Sequence, residues 1–477
     1  MSEKKKVVIV GAGIAGLAAA FEILDLEKRG ECPPLDLEIL DGAPRAGGNI
    51  RTEIADGFVC EWGPEGFLDS VPETIRLAER VGLGARLVRA RDEADKRFIY
   101  RDGRLRLVPL SPPAFLASDI LPFLPRLRVF CEPLIGAKKT DADETVFDFA
   151  SRRIGRGAAT VLVDAMVSGV FAGDARRLSL KSAFPKMFDM ERQYGGLVKA
   201  MLAKRREAKK TGEAMGGPSG PRGRLTSFDG GMEELIRALV KFIGEHRLRL
   251  GRKVETIRKT QTGFDISVEG GSTVAADALI LAAPSNAAAR ILTDLSPRLA
   301  EALAQIEFAS IAVLGCGYPR TRIRHPLDGF GFLIPRSENL RALGVLFSSS
   351  SFPNRAPNGH ILLRTMIGGA TNPGAISLSD SDLLELFNKE IAPILGIGSD
   401  PAWLRVFRFP AGIAQYNLGH SDRLARTRAE LKSIPALFLS GSSYLGIAVN
   451  NTCEKAHLLA RSVGASLSGG APDDQIY

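Results

Sequence analysis

A short apolar run, Val7-Val8-Ile9-Val10, passes without a break into Gly11-Ala12-Gly13-Ile14-Ala15-Gly16-Leu17. The run has the make-up of a buried parallel strand. The Gly-x-Gly-x-x-Gly spacing then calls for a tight turn and opens an Ala-rich helix. Leu37-Glu38-Ile39-Leu40 follows as a second strand and ends on Asp41. A chain with 50 glycines produces the glycine spacing by chance alone. Strand, turn, helix and acid in that order are far rarer, and together they predict a dinucleotide-binding βαβ unit.

Each residue type has a physical task in such a unit. Gly11 permits the turn, Gly13 lets backbone approach a pyrophosphate, and Gly16 lets the helix pack on the sheet. The helix N-terminus offers unpaired N–H groups to the phosphates. Asp41 suits a ribose diol, and its charge would repel a 2′-phosphate, which disfavours NADP. Arg45-Ala46-Gly47-Gly48 brings a second glycine turn to the same pyrophosphate, with Arg45 as its cation. That doublet narrows the choice towards FAD.

The length of 477 residues suggests two to four domains. The net charge of +9 is concentrated. Lys199, Lys204, Arg205, Arg206, Lys209, Lys210, Arg222 and Arg224 face only Glu207 and Glu213 in one segment. A solvated helix end running into a flexible loop explains it, and a face for anionic lipid is the functional alternative. No aromatic residues interleave with the charge, so nucleic acid is not expected as a partner. The five cysteines form no C-x-x-C pair, and the histidines show no metal-ligand spacing. Reduced thiols, no disulfide framework and no metal are therefore expected. Lys4-Lys5-Lys6 before an apolar run imitates a signal peptide, but its cleavage would destroy the glycine turn. No apolar window of about twenty residues predicts a transmembrane helix. A cytoplasmic location follows.

Further along, Lys96–Tyr100 and Arg104–Val108 flank Asp102-Gly103 and predict a hairpin. Helical periodicity dominates from Ala114 to about Tyr194, as in Ala158–Val167. Pro109–Gly136 is rich in Leu, Phe and Pro. It fits a buried helical layer or an amphipathic surface dipping into one leaflet. Strand character returns in Leu248–Ile257 and Phe264–Val268, and Asp277–Pro284 suggests a buried strand. Ile311–Gly317, Gly329–Pro335, Leu343–Ser349, His360–Gly368 and Trp403–Phe409 succeed one another, predicting an antiparallel sheet. Ala436–Gly441 predicts a strand, Ser442–Gly446 a turn and Thr452–Leu467 a helix.

These pieces resemble the flavin amine oxidase superfamily over nearly the whole chain. Gly11-x-Gly13-x-x-Gly16, Arg45-x-Gly47-Gly48 and Gly63-Pro64 carry that likeness. More specific are Lys96-Arg97-Phe98-Ile99, Ser111-Pro112-Pro113 through to Asp119, Gly169–Asp174, Ser227–Gly231, Asp328–Leu333 and Gln415–His420. They resemble the oxygen-dependent protoporphyrinogen oxidases and their coproporphyrinogen-oxidising relatives. The resemblance implies an α/β fold: a discontinuous Rossmann-like FAD domain, an antiparallel-sheet substrate domain and a helical membrane-binding domain. The expected division is FAD domain at 1–90, 225–290 and 435–470, substrate hairpin at 91–109, helical domain at 110–200, basic loop at 201–224 and substrate domain at 291–434. Two departures stand out. Asp41 replaces the usual Glu, and Gly446-Ile447-Ala448-Val449-Asn450-Asn451 replaces a stretch with a second Gly and a closing Asp-Cys.

The implied reaction removes six electrons from a porphyrinogen in three two-electron steps, with oxygen reoxidising the flavin to give peroxide. The flavin carries the chemistry, so no catalytic side chain is named. The resemblance places Gly11, Gly13, Gly16, Asp41, Arg45, Gly47, Gly48, Gly63, Pro64, Val254, Gly441, Gly446, Ile447, Ala448 and Val449 at the cofactor. It gives Arg97 to a substrate propionate, brings the Gly169 backbone close to substrate, and sets Phe330, Leu333, Leu346 and Met366 around the macrocycle. Taken alone, Arg97 also fits an exposed hairpin arginine, the four apolar residues fit a core, and His420 fits a structural histidine at a strand end. FAD is expected to be non-covalent, because Val406–Pro410 holds no Cys. Protoporphyrinogen is favoured over coproporphyrinogen. An amine oxidase, a desaturase and a non-catalytic flavin-bound partner are the alternatives. Peripheral membrane contact is expected, and a homodimer is compatible with the sequence without being specified by it.

Overall fold

The strand Lys5–Val10 lies in the middle of a five-stranded parallel sheet, which explains its unbroken apolar run. The sheet order is Leu248–Leu250, Leu35–Asp41, Lys5–Val10, Ala278–Leu281, Leu437–Leu439. Side chains alternate between faces, and both faces are covered. Val7 and Ile9 join a cluster with residues of the helices Ile14–Lys28, Glu233–Ile243 and Val449–Leu467. Val8 and Val10 join a second cluster with the antiparallel strands Val254–Lys259 and Phe264–Val268. The computed structural model describes residues 4–211 and 223–477.

A second, seven-stranded sheet runs Trp403–Ala414, Phe308–Pro319, His360–Gly368, Ala342–Phe347, Gly331–Leu333, Arg97–Arg101, Arg104–Leu107. Its pairings are antiparallel except for Gly331–Leu333 against Arg97–Arg101, which is parallel. The hairpin turns at Asp102 and Gly103, both at positive φ (50° and 80°). One face of this sheet packs Phe332, Val345, Phe347 and Leu363 against the helices Asp380–Glu390 and Ala392–Leu395. Its other face looks towards Phe58, Cys60 and Trp62 of the dinucleotide-type region. Helices fill Pro112–Ala117, Phe123–Phe130, Val146–Ile154, Asp164–Phe171, Pro185–Tyr194 and Leu197–Thr211. This is the mixed α/β architecture expected.

Several local expectations change. The alternating run Leu248–Ile257 is two strands in two sheets, because Gly251 (φ 68°) breaks it and sends Val254–Lys259 into an antiparallel layer. The final helix begins at Val449, not Thr452, with Ala448 as its N-cap. His420 opens the helix His420–Leu431 and does not end a strand. The helix Leu197–Thr211 takes up the first part of the basic loop expected over 201–224, and residues 212–222 of that loop lie outside the described residues.

Candidate cofactor and substrate site

The glycine turns meet back to back. Gly47 N–H donates to the Ala12 carbonyl at 2.7 Å, and Gly13 bridges to Gly47. A Cβ on Gly48 would lie 3.3 Å from the Gly13 Cα. Gly11 (φ 113°) leaves no room for a side chain, since a Cβ would come within 2.9 Å of the Ala282 carbonyl. At Gly16 a Cβ would stand 1.9 Å from the Gly11 oxygen. Gly13 differs: its backbone is extended (φ −73°, ψ 178°), and a Cβ would meet nothing nearer than 3.9 Å. The fold does not demand that glycine, so the space over it is left for something else. The helix that starts there has no side-chain cap and no acidic residue in its first turn, which keeps its N–H groups available to an anion.

Three more segments converge on this mouth. A Cβ on Gly441 (φ 119°) would sit 3.6 Å from the Ala15 Cβ. Gly63 packs on the backbone of Asn49, where a Cβ would be 2.2 Å from its oxygen. Val254 is buried in the cluster that holds Val10 and Leu40. Asp41 accepts from the N–H of Ala12 at 2.6 Å and of Ala43 at 2.7 Å, so it ties its own turn to the first glycine turn. Two bonds leave a carboxylate with spare acceptor capacity. Arg45, expected from the sequence as a pyrophosphate partner, also has a role within its own loop. Its guanidinium donates to the carbonyls of Gly48 at 2.8 Å, Ala46 at 3.0 Å and Ile50 at 3.3 Å, so it shapes the second glycine turn. Burial, with help from Arg51, pulls its pKa down from the ordinary arginine value.

The turn Gly441–Ala448 is gripped from the side of the second sheet. Tyr416 O–H donates to the Ser442 carbonyl at 2.7 Å, and Gly446 N–H donates to the Tyr416 oxygen at 2.9 Å. The Tyr416 ring stacks on His420 with centroids 4.2 Å apart. His420 Nε2 lies 3.0 Å from the Tyr444 carbonyl and so donates to it. Burial pushes the His420 pKa down to about 4, which keeps the ring neutral. The structural reading of His420 therefore fits its surroundings. Ile447 packs on one face of the parallel sheet and Val449 on the other.

On the second sheet, register decides which residues can act together. Arg97 is opposite Gly331, Gly331 opposite Leu346, and Leu346 opposite Arg364. One row on, Ile99, Leu333, Gly344 and Met366 are aligned. Opposed residues share a face and alternate residues return to it. Arg97, Leu333, Leu346 and Met366 thus look the same way. The three apolar members are half-buried, while Phe332, Val345 and Phe347 on the other face are buried. Gly169, on the helix Asp164–Phe171, approaches this face so closely that a Cβ would lie 2.6 Å from Leu333 Cδ2. Among the described residues Arg97 pairs with no carboxylate, whereas neighbouring Lys96 is bound to Asp328 at 2.6 Å. Phe330 is off this face: it precedes the strand, packs by Phe352, Ala90 and Ala94, and has the Arg97 guanidinium 5.6 Å from its ring centre.

Sequence reasoning did not find Arg364. It is buried on the same face, ion-paired to buried Glu65, and donates to the Gly63 carbonyl at 2.7 Å. It fastens the Gly63-Pro64 segment to the second sheet. Nothing in the local sequence marks it, because its partner is 299 residues away. Glu61 is also buried, and desolvation raises its pKa to about 7 despite the nearby Arg355.

Comparison with known proteins supplies the family. The family described as flavin containing amine oxidoreductase matches residues 14–463. Protoporphyrinogen oxidase 1 of the Arabidopsis thaliana chloroplast is 32% identical, over 97% of this chain and 88% of that protein. The coproporphyrinogen III oxidase of Bacillus subtilis (strain 168) is 28% identical, over 94% of this chain and 95% of that protein. The crystal structure of a protein from Exiguobacterium sp. 255-15, assigned provisionally as a protoporphyrinogen oxidase, superimposes with a TM-score of 0.82 at 24% identity, covering 97% of this chain and 99% of that one. Glycine turns that leave room for a pyrophosphate, and a family match over nearly the whole chain, lead to one conclusion: the chain belongs to the flavin containing amine oxidoreductase family and is an FAD-dependent oxidoreductase.

Proposed function

We propose that this enzyme oxidises protoporphyrinogen IX to protoporphyrin IX, with molecular oxygen as the final acceptor. Six electrons and six protons leave the porphyrinogen, and three molecules of oxygen leave as three of hydrogen peroxide. One observation carries the reading: Arg97, a guanidinium with no carboxylate partner among the described residues, stands beside an apolar face made by Leu333, Leu346 and Met366. A macrocycle needs a broad apolar surface, and a propionate needs a bidentate cation. Relatives named protoporphyrinogen oxidase and coproporphyrinogen III oxidase support the substrate class. Coproporphyrinogen III carries a propionate on each of its four rings. Protoporphyrinogen IX carries two, on adjacent rings, which suits one cation at one edge.

Non-covalent FAD supplies the two-electron acceptor. The rest is binding and orientation. The N–H groups at the start of the helix Ile14–Lys28 and the two glycine turns hold the pyrophosphate, and Asp41 accepts from the ribose. Arg45 keeps the second turn in shape. Arg97 anchors a propionate, the apolar face excludes water, and Gly169 leaves space above Leu333.

A peripheral membrane contact belongs to the same proposal. Leu110, Leu116, Phe123, Leu124, Phe130 and Leu134 are exposed, Leu124 at 74% and Leu134 at 83%. Phe115 and Val129 of this segment pack in one cluster with Ile99 and Leu333, so the exposed apolar patch adjoins the substrate face. Exposed apolar side chains concentrated in one segment suit one leaflet of a bilayer. No described helix is long and apolar enough to cross a membrane.

The test is porphyrin fluorescence in air, with protoporphyrinogen IX and coproporphyrinogen III in separate cuvettes against enzyme-free blanks. The expected result is a clear rate with the former and a much lower one with the latter. The reverse order would assign coproporphyrinogen III. No rate with either, from protein that carries FAD, would overturn the porphyrinogen reading.

A further inference from the structure

The turn Gly441–Ala448 has one backbone hydrogen bond of its own, from the Tyr444 N–H to the Gly441 carbonyl at 3.3 Å, and is otherwise held from outside. Its residues 442, 444 and 446 are bound in alternation by two side chains that come from outside it: Tyr416 takes Ser442 and Gly446, and His420 takes Tyr444. Gly446 sits at φ 116°, where any other residue is strained, and the Asn451 side chain occupies the place a Cβ would need. The Tyr416 hydroxyl uses one donor and one acceptor here, on two backbone groups four residues apart. Tyr416 and His420 are each 1% exposed. Burial raises the phenol pKa well above its ordinary value, so the hydroxyl stays a donor at every working pH.

Tyr416 also lies two residues past the strand Trp403–Ala414. That strand pairs with Phe308–Pro319, where Val313 is opposite both Phe407 and Met366. The same strand therefore runs from beside the substrate face to the residues that hold the turn. Beyond Gly446, Ile447 and Ala448 lead straight into the N-terminus of the helix Val449–Leu467.

We propose that Tyr416 is a positioning residue: its hydroxyl sets the backbone from Gly446 to Val449 against the flavin ring and thereby tunes the flavin. The inference rests on the reading that this turn borders the flavin.

Tyr416→Phe is the clean perturbation in the full-length holoenzyme, because it keeps the ring and its stack and removes one oxygen. The visible flavin absorption maxima, the flavin midpoint potential and FAD affinity are measured alongside steady-state kinetics. We expect shifted maxima and potential, FAD bound about tenfold more weakly, and kcat lowered about tenfold with KM unchanged. His420→Gln retains a donor towards Tyr444 but loses the stack on Tyr416, and is expected to shift the maxima by less than His420→Leu. His420→Leu removes the donor as well and is expected to move the spectrum in the same direction as Tyr416→Phe, by less, which keeps the test open if the phenylalanine variant does not fold. A Tyr416→Phe protein that melts lower but has wild-type flavin maxima and potential overturns the inference and leaves a purely structural tyrosine. Wild-type protein that binds no FAD overturns the cofactor reading itself, before any variant is compared.

Discussion

Gly13→Ala separates the needs of the fold from the needs of the ligand. The Gly13 backbone is extended, and an added Cβ would be 3.9 Å from its nearest neighbour, the Gly48 Cα. The unloaded protein can accept that methyl. Restricting the unfolded chain favours alanine by about 0.4–1 kcal/mol, and the poorer N-cap costs a similar amount, about 0.5–1 kcal/mol, in return. The melting temperature of the flavin-free protein should hardly move. The methyl fills the gap between the two glycine turns, where overpacking costs about 1–3 kcal/mol. That loss corresponds to FAD binding about 5- to 150-fold weaker. Linkage turns it into heat stability: FAD at 100 times the wild-type Kd protects wild type by about 2.7 kcal/mol, and a 100-fold weaker variant by only about 0.4 kcal/mol. Flavin fluorescence quenching gives Kd, and melts with and without FAD give the protection. Gly16→Ala is the contrast, because its Cβ would strike the Gly11 carbonyl at 1.9 Å and the protein itself should be destabilised. Gly13→Ala with wild-type Kd would refute the assigned phosphate turn. Gly13→Ala apoprotein that melts far below wild type would refute the steric reasoning.

Arg97→Ala should raise KM at least tenfold while kcat stays within about threefold, as expected when charge-assisted binding is lost uniformly; an unchanged KM contradicts the propionate role. His420 is held neutral by burial, with a pKa of about 4 against the ordinary 6.5. Its contribution is therefore full above pH 6.5 and is lost as the pH falls towards 4, a change on the order of 3 kcal/mol. Melts between pH 7 and 4.5 should show a shallower acid loss for His420→Gln, and equal losses in both proteins would rule this out. The protein should sediment with anionic liposomes at low salt and be released as salt rises; full recovery in the supernatant at low salt contradicts the membrane contact.

The parts of the site that were legible in the sequence are those that backbone geometry imposes locally. Gly11 and Gly47 are glycine because φ there is 113° and 112°. The Asp102-Gly103 hairpin and the strand His360–Gly368 were legible for the same reason: turn chemistry and alternation act over a few residues. Where a run carried two destinies the sequence was ambiguous. Leu248–Ile257 alternates throughout, yet its halves enter different sheets, and only the partner strands distinguish them.

Residue type and order alone determined that a glycine turn joins the first strand to a helix, where it lies and that a carboxylate follows it, because close backbone approach tolerates only glycine. The tertiary structure decided what each side chain does. Strand register put Arg97, Leu333, Leu346 and Met366 on one face and left Phe330 off it. Packing drew Arg45 to the carbonyls of its own loop, joined Arg364 to Glu65, and brought Tyr416 and His420 to the turn at Gly446. A backbone conformation is set by its neighbours in the chain. A buried polar side chain takes whichever partner the fold brings within 3 Å, and that partner is written elsewhere in the sequence.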